Sequence, residues 1–306
     1  MRSLLLIALV FATTVEARSP RTRKRECLLE MYQGATAAFS LRPISRWGFF
    51  NDIVTVRRSS DNAESGFLWW EIAGSVATTW TGANDGLVKT WFDQSGNVRN
   101  FSQSTAGNQP AIVRSGVLQT ANGKPVIDFD GTNDHLRCPA ATFITPTTQL
   151  QVSVVCKNDS ATLSGTETLI SQFDIGTNQR SWIMYIGNDE KIGLQFGDPA
   201  DGTFEGGWAS TAAISPINLQ TVGFTFNAGT VVLYVNGVAV AGAVSAGSIP
   251  TSLFNSNADA TIGSYLYSSL AQAFWNGQIP EVYVADNLTD SMADIQTAQM
   301  RAFNIT

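Results

Sequence analysis

Charge is scarce in this chain. Only 14% of its 306 residues are Asp, Glu, Lys or Arg, against about 25% in an ordinary soluble domain. The net charge is a mild −6, and no basic stripe appears beyond the N-terminus, so the electrostatic footprint of a nucleic-acid binder is missing. Histidine occurs once, at His135. One imidazole without a Gly-x-Ser-x-Gly elbow does not make a Ser-His-Asp triad, and His135 reads as a turn or surface residue after Asn133-Asp134. Cysteine is limited to Cys27, Cys138 and Cys156, with no zinc spacing. An odd count leaves at least one thiol unpaired or intermolecular. Cys156 falls in an apolar strand and is expected as a small buried hydrophobe rather than a disulfide partner of Cys138. Long apolar runs are missing too: Leu4 to Phe11 is a run of eight, too short to span a bilayer as a helix. No internal repeat stands out, and the lack of long βαβ crossovers argues against a parallel sheet.

What is there begins with a segment that looks like targeting. Arg2, the apolar run and Val15-Glu16-Ala17 read residues 1–17 as a signal peptide or apolar anchor. Membrane contact is expected only through that segment, if it is uncleaved. Residues 18–26 form a basic tail in which Lys24-Arg25 is a possible processing site. Residues 27–306 then read as one domain, since all-β sandwiches of about 200–250 residues commonly form one unit. Sequons at Asn100, Asn158, Asn287 and Asn304 fit a secreted surface. The expected location is extracellular, with a virion as the alternative.

The residue pattern of this domain is strand after strand. Gln33 to Leu41 is the one early helix expectation, ending before Pro43. Ile53 to Val56 and Leu87 to Phe92 follow as strands, the second stopping at the turn Asp93-Gln-Ser-Gly-Asn97. Pro125 to Phe129 ends at Asp130-Gly131. Leu150 to Cys156 alternates, and Thr168 to Phe173 follows. Ser181 to Ile186 and Lys191 to Phe196 read as a hairpin about Gly187 to Glu190, and Gln220 to Phe226 with Thr230 to Val235 as another. Asn236-Gly237 predicts a type I′ turn, with Val238 to Val240 returning. Trp275 to Val284 is expected as a last strand pair. A closing helix spans Asp290 to Phe303, capped by Asp290 or Ser291, with Ile295, Ala298, Met300 and Ala302 on its buried stripe. Turn signals every 8–12 residues imply a sandwich or barrel. The fold class is therefore all-β, an antiparallel jelly-roll β-sandwich with a short C-terminal helix.

Three stretches carry a resemblance: DFDGTNDHL (Asp128 to Leu136), VLYVNGVAV (Val232 to Val240), and the ending Ile262 to Asp286 with Trp275, Gly277, Ile279, Glu281 and Val282. They resemble concanavalin A-like lectin/glucanase domains, especially the laminin G-like branch. AFSLRPIS (Ala38 to Ser45), Ile53 to Phe67, and Thr90 to Val113 are similar to the catalytic domain of α-L-arabinofuranosidase B and to related phage and bacterial proteins. The residues themselves favour a scaffold role for this block. Asp93 and Asn97 can bind turn amides, and Arg57 and Arg58 beside Asp61 can tie down a loop.

A retaining glycosidase needs two carboxyl groups about 5–5.5 Å apart. The arabinofuranosidase resemblance implies a Glu on the strand matching Ser181 to Asn188, which has none. It also implies an Asp in the loop Ile262 to Tyr265, where Ser264 and Tyr265 stand instead. The reading therefore leans away from an enzyme, with Asp174, Asp198, Glu205 and Glu281 as the carboxylates that could substitute. Trp208, Trp275 and Tyr265 are candidates for stacking on a sugar. Asp130 and Asp134 could hold calcium, as the laminin G-like resemblance implies, or simply form Asx turns. The expected function is a non-catalytic carbohydrate-binding, structural or adhesion module of an extracellular or virion assembly, binding carbohydrate or cell-surface glycan and assembly partners. The alternatives are a glycoside hydrolase acting on arabinose-containing polysaccharide and a phage receptor-binding or decoration protein.

Overall fold

The computed structural model describes residues 27–144 and 148–306. The predicted leader, basic tail and processing site lie outside the described residues. Two antiparallel layers face each other. The smaller runs Val238–Val240, Thr230–Val235, Gln220–Asn227, Gln149–Asn158, Asn276–Ala285, Ala37–Ser40. The larger begins Gly242–Gly247, Phe204–Ser210, Ile192–Gly197, Gln179–Ile186, Glu167–Asp174. It continues Ala260–Ile262, Leu136–Cys138, Phe101–Ser102, Gly86–Trp91, Val54–Arg58, Glu64–Phe67. Asp128–Asp130 joins the layers, pairing with both Asn276–Ala285 and Ala111–Arg114.

Period-2 alternation decides which side chains go inside. Leu150, Val152, Val154 and Cys156 point into the core, as do Val222, Phe224 and Phe226 opposite them. Trp182 and Phe196 of the larger layer interleave with these, at ring centroid distances of 6.0 Å to Phe224 and 5.4 Å to Phe226. Asn236 and Gly237 take φ of 49° and 78°, the pair of positive angles a type I′ turn requires, and Val238–Val240 returns as predicted. All three cysteines are free and buried. Burial pushes the Cys138 thiol up to about 11, which leaves it an inert thiol rather than a nucleophile.

The closing helix, Met292–Phe303, packs on the outer face of the smaller layer. Ser291 is its N-cap, accepting from the Asp294 amide at 3.4 Å. Its buried face differs from the expected stripe: Ile295 is fully buried, but Gln296 and Gln299 are as well, while Ala298, Met300 and Ala302 are half-buried. The Gln296 Oε1 accepts from Gly237 N at 2.8 Å and the Gln299 Oε1 from Ser153 Oγ at 2.6 Å. Among the described residues no helix is long and apolar enough to cross a membrane.

Two further expectations are corrected. Gln33 to Leu41 is not a helix: a single helical turn, Leu28–Met31, precedes the strand Ala37–Ser40. Alanine is the strongest helix former, but intrinsic propensity is a small term that tertiary pairing overrides. Here Ala37 to Ser40 pair in register with Val284 to Glu281, and the Ala38 amide donates to Asp93 Oδ1 at 3.0 Å. Trp275 to Val284 is not a strand pair but mostly one ten-residue strand, Asn276–Ala285. It is buried on both faces because the helix covers its outer side, so the hairpin alternation is absent.

Candidate functional site

A polar groove of 530 Å³ opens on the outer face of the larger layer. Its floor comes from one short strand. His135 and Arg137 are two residues apart at the start of Leu136–Cys138, so both side chains leave the same face. One wall is the segment Gln103 to Asn108. The other is the hairpin of Tyr265–Tyr267 and Leu270–Gln272, continued by Phe274. Asp174 holds that hairpin in place. Its carboxylate accepts from Ser268 N at 2.8 Å, Ser269 N at 2.7 Å and Gly176 N at 3.0 Å. Ser268 and Ser269 both have positive φ, a conformation costly for non-glycine residues, and the buried carboxylate offsets that cost with charge-assisted bonds.

His135 is buried, which corrects its expected place on the surface or in an open turn. Its Nδ1 lies 2.8 Å from the Asn133 carbonyl, and its Nε2 lies 3.0 Å from Gln103 Nε2 and 3.3 Å from Arg137 Nε. These contacts assign the neutral tautomer with the proton on Nδ1 and two donors aimed at Nε2. Burial, reinforced by the Arg137 charge, lowers the His135 pKa. The ring packs on Phe274 at 5.9 Å. Arg137 donates through Nη2 to Ser269 O at 2.9 Å, which ties the floor to the hairpin. The groove thus presents one cation, a neutral imidazole, side-chain amides and an aromatic face. None of its described lining residues is acidic.

The predicted site residues do not converge here. Asp174 supports the hairpin from behind. Tyr265 is half-buried and meets Phe173 edge-on at 6.5 Å. Trp275 is a fully buried core residue, and Trp208 packs against the core near the far edge of the larger layer. Glu281 is fully buried on the helix-covered face, paired with Arg42. Asp198 and Glu205 flank the turn between Ile192–Gly197 and Phe204–Ser210, where Asp198 Oδ1 accepts from Ala200 N and Glu205 Oε1 from Ser248 Oγ. Ser264, expected where the arabinofuranosidase resemblance implies an acid, is fully buried, its carbonyl accepting from Ser171 Oγ at 3.2 Å. Arg58 does pair with Asp61, at 2.7 Å, but Arg57 turns to Gln109 and Asn62 instead. The Asn158 sequon is closed to modification in the folded chain, because its buried amide donates to Glu167 Oε2 at 2.6 Å.

Asp130 and Asp134 do not fit a calcium ion. Asp130 Oδ1 is taken by the Thr132, Asn133 and Asp134 amides, and Asp134 Oδ2 by the Asp130 amide. The Arg114 guanidinium stands beside them, 2.6 Å from Asp128 and 3.9 Å from Asp134. Among the described residues no group of three His, Cys, Asp or Glu is arranged to hold a metal. Burial, with Asp130 adding to it, raises Asp134 to about 7. The folded state therefore holds a proton that the unfolded chain, titrating near 3.9, releases earlier. Asp134 accordingly contributes stability that declines as pH rises from about 4 to 7. His135 has the opposite sign: its depressed pKa costs stability as pH falls below about 6.5. Asp134→Asn mimics the protonated acid. It should leave urea stability at pH 4 nearly unchanged and raise it at pH 8 by about 2–4 kcal/mol. Destabilisation at pH 8 would count against this account.

A laminin G-type family model, described as the concanavalin A-like lectin/glucanases superfamily, matches residues 130–292, more than half of the chain. The chain belongs to this superfamily. Similar solved structures of the concanavalin A-like chain include a GH54 α-L-arabinofuranosidase soaked with a cyclic sulfate inhibitor (TM-score 0.57) and an arabinofuranosidase complexed with arabinofuranosyl-α-1,2-xylobiose (TM-score 0.59). Each is 14% identical, over 90% of this chain and 64% of the other. The chain thus spans less than two thirds of their length, and the likeness is one of fold. The Ruminococcus gnavus IT-sialidase CBM40 bound to α2,3 sialyllactose is also similar, with TM-score 0.42 and 16% identity over 57% of this chain and 96% of that one. No curated protein matches in sequence.

The groove residues Gln103, Asn108, Arg137, Gln272 and Phe274 were not singled out from sequence, because three separate segments supply them. The available signal was the single histidine with an arginine two positions on, at the start of a strand.

Proposed function

We propose that this concanavalin A-like chain is a non-catalytic carbohydrate-binding module that recognises an acidic glycan in the groove between Gln103 and the hairpin ending at Gln272, and serves adhesion at an extracellular or virion surface. The observation that carries the reading is Arg137. It is the one charged side chain among the groove's described lining residues, half-exposed, and it is held by His135 and the hairpin carbonyl with Nη1 left over. A guanidinium fixed in this way is suited to a sugar carboxylate. The Gln103, Asn108 and Gln272 amides suit hydroxyls, and Phe274 offers a flat apolar face. The likeness to arabinofuranosidase structures supports a carbohydrate-related role. Titration calorimetry with uronate- and sialate-bearing oligosaccharides should give binding that weakens with salt. Arg137→Ala should weaken it at least tenfold, about 1.4 kcal/mol, without moving the melting temperature by more than about 2 °C. If acidic sugars bind no better than neutral ones, or if Arg137→Ala binds as the parent does, the reading fails.

A glycoside hydrolase is the second reading, favoured by the arabinofuranosidase likeness over nine tenths of the chain. Asp198 and Glu205, close in one strand–turn–strand unit of the larger layer, are the carboxylates it would use. Release of nitrophenol from an aryl arabinofuranoside by the pure protein, abolished by Glu205→Gln, would establish it over the first.

A further inference from the structure

We infer that the chain carries a second sugar site, a cleft for a neutral disaccharide-sized ligand lined by side-chain amides and distinct from the Arg137 groove. Two cavities of 430 and 410 Å³ adjoin, sharing Ser215 and Gln220. Each is within the usual range for small-molecule sites of about 300–1,000 Å³. The first is bordered by Asn122, Asn218, Gln220, Asn236 and Asn304, and none of its described lining residues is Asp, Glu, Lys or Arg. The second supplies an apolar wall from Ile214, Val235 and Val240.

The internal hydrogen bonds orient these amides. Gln220 Nε2 donates to Ser215 O at 2.9 Å and Asn218 Nδ2 to Ser215 Oγ at 3.0 Å. Asn122 Nδ2 donates to Phe303 O and Asn304 O, and Asn304 Nδ2 to Asn122 O at 3.2 Å. In all four the nitrogen is used within the protein, and the oxygen takes no bond among the described residues. Asn236 is reversed: its Oδ1 accepts from Thr221 N at 2.9 Å, which leaves its NH2. Gln220, 5% exposed, forms the floor, its Oε1 unpartnered. Four acceptor oxygens and one donor on uncharged side chains match the hydroxyls of a neutral sugar. A carboxylate finds no cation there. The apolar wall can take the C–H face of the ring. Asn122, Asn236 and Asn304 all have positive φ, a conformation asparagine tolerates, so three turns present their amides from fixed backbones. Two sites of different chemistry on one chain would let it bind a branched or composite glycan with avidity.

The test is a titration of the full 15N-labelled chain with xylobiose and with cellobiose, read on the side-chain amide resonances. Asn236 and Gln220 should shift saturably in the millimolar range for at least one of the two. The pair Asn218→Ala with Asn304→Gly, the glycine keeping the left-handed cap, should weaken that binding at least tenfold, whereas Arg137→Ala should leave it unchanged. No shift of these amides with either disaccharide in the parent would overturn the site. So would equal affinity in the double variant. Because Arg137→Ala reports only on the groove, failure here and failure of the proposed function are told apart.

Discussion

Replacing Asp93 by alanine is expected to lower stability by about 4 kcal/mol. The Asp93 side chain is 4% exposed and accepts four bonds: from Ala38 N at 3.0 Å, Ser95 N at 2.9 Å, Ser95 Oγ at 2.8 Å and Arg99 N at 3.1 Å. Each buried donor left unsatisfied costs about 1–3 kcal/mol. The Ala38 amide stands near the top of that range, because Ala38 is fully buried between the closing strand and the cluster of Leu28, Ile44 and Ile295. The Ser95 and Arg99 amides lie closer to solvent and recover part of their hydration. At about 2 °C per kcal/mol for a chain of this size, the melting temperature should fall by about 8 °C. Asp93→Asn keeps one acceptor oxygen but turns an NH2 toward existing donors, so about half of that loss is expected. The turn therefore acts as a clasp joining Gly86–Trp91 to Ala37–Ser40. A melting temperature for Asp93→Ala within 2 °C of the parent would refute that role.

Much of this architecture was legible where side-chain alternation and turn chemistry agree. Leu150 to Cys156 alternates because one of its faces meets the core, and Asn236-Gly237 names its turn because few other pairs accept two positive φ angles. Asp93-Gln-Ser-Gly-Asn97 read as scaffold for the same reason: its residues bond their own neighbourhood. Legibility stopped where tertiary contacts override local preference. Ala37 to Ser40 carries a helix-compatible composition but becomes a strand, because Val282 and Val284 supply pairing partners nearly 250 residues away. Gln296 and Gln299 lie outside the expected apolar stripe, yet Ser153 and Gly237 offer them partners that only packing brings near. The groove was hidden for a third reason. A binding surface assembled from Gln103, Arg137 and Phe274 leaves no spacing pattern in any single segment, and His135 discloses its burial only once Gln103 is beside it. Residue type alone singles out Asp174, Asp198, Glu205 and Glu281, whereas each is engaged in holding a turn, a hairpin or a strand.

Glu281 shows what such an engaged carboxylate is worth. Glu281→Ala is expected to cost about 3 kcal/mol and about 6 °C in melting temperature. The carboxylate is fully buried; its Oε1 accepts from Arg42 Nη2 at 3.0 Å and its Oε2 from Ser40 Oγ at 2.8 Å, with Arg42 Nε 2.8 Å from Oε2. Removing one member of a buried pair costs about 3–5 kcal/mol, because the other charge is left without compensation. The lower end applies here, since the Arg42 side chain is 29% exposed and can draw on water. Glu281→Leu combined with Arg42→Met should recover most of the loss, because an apolar pair of similar volume pays no desolvation. High salt should change the parent little, as buried pairs are poorly screened. The placement on the helix-covered face, across the sandwich from the groove, separates this role from chemistry. Measured well below its melting temperature, Glu281→Ala should bind acidic oligosaccharides as the parent does. If it instead melts with the parent while glycan binding or sugar release collapses, Glu281 belongs to a functional site and the structural assignment is wrong.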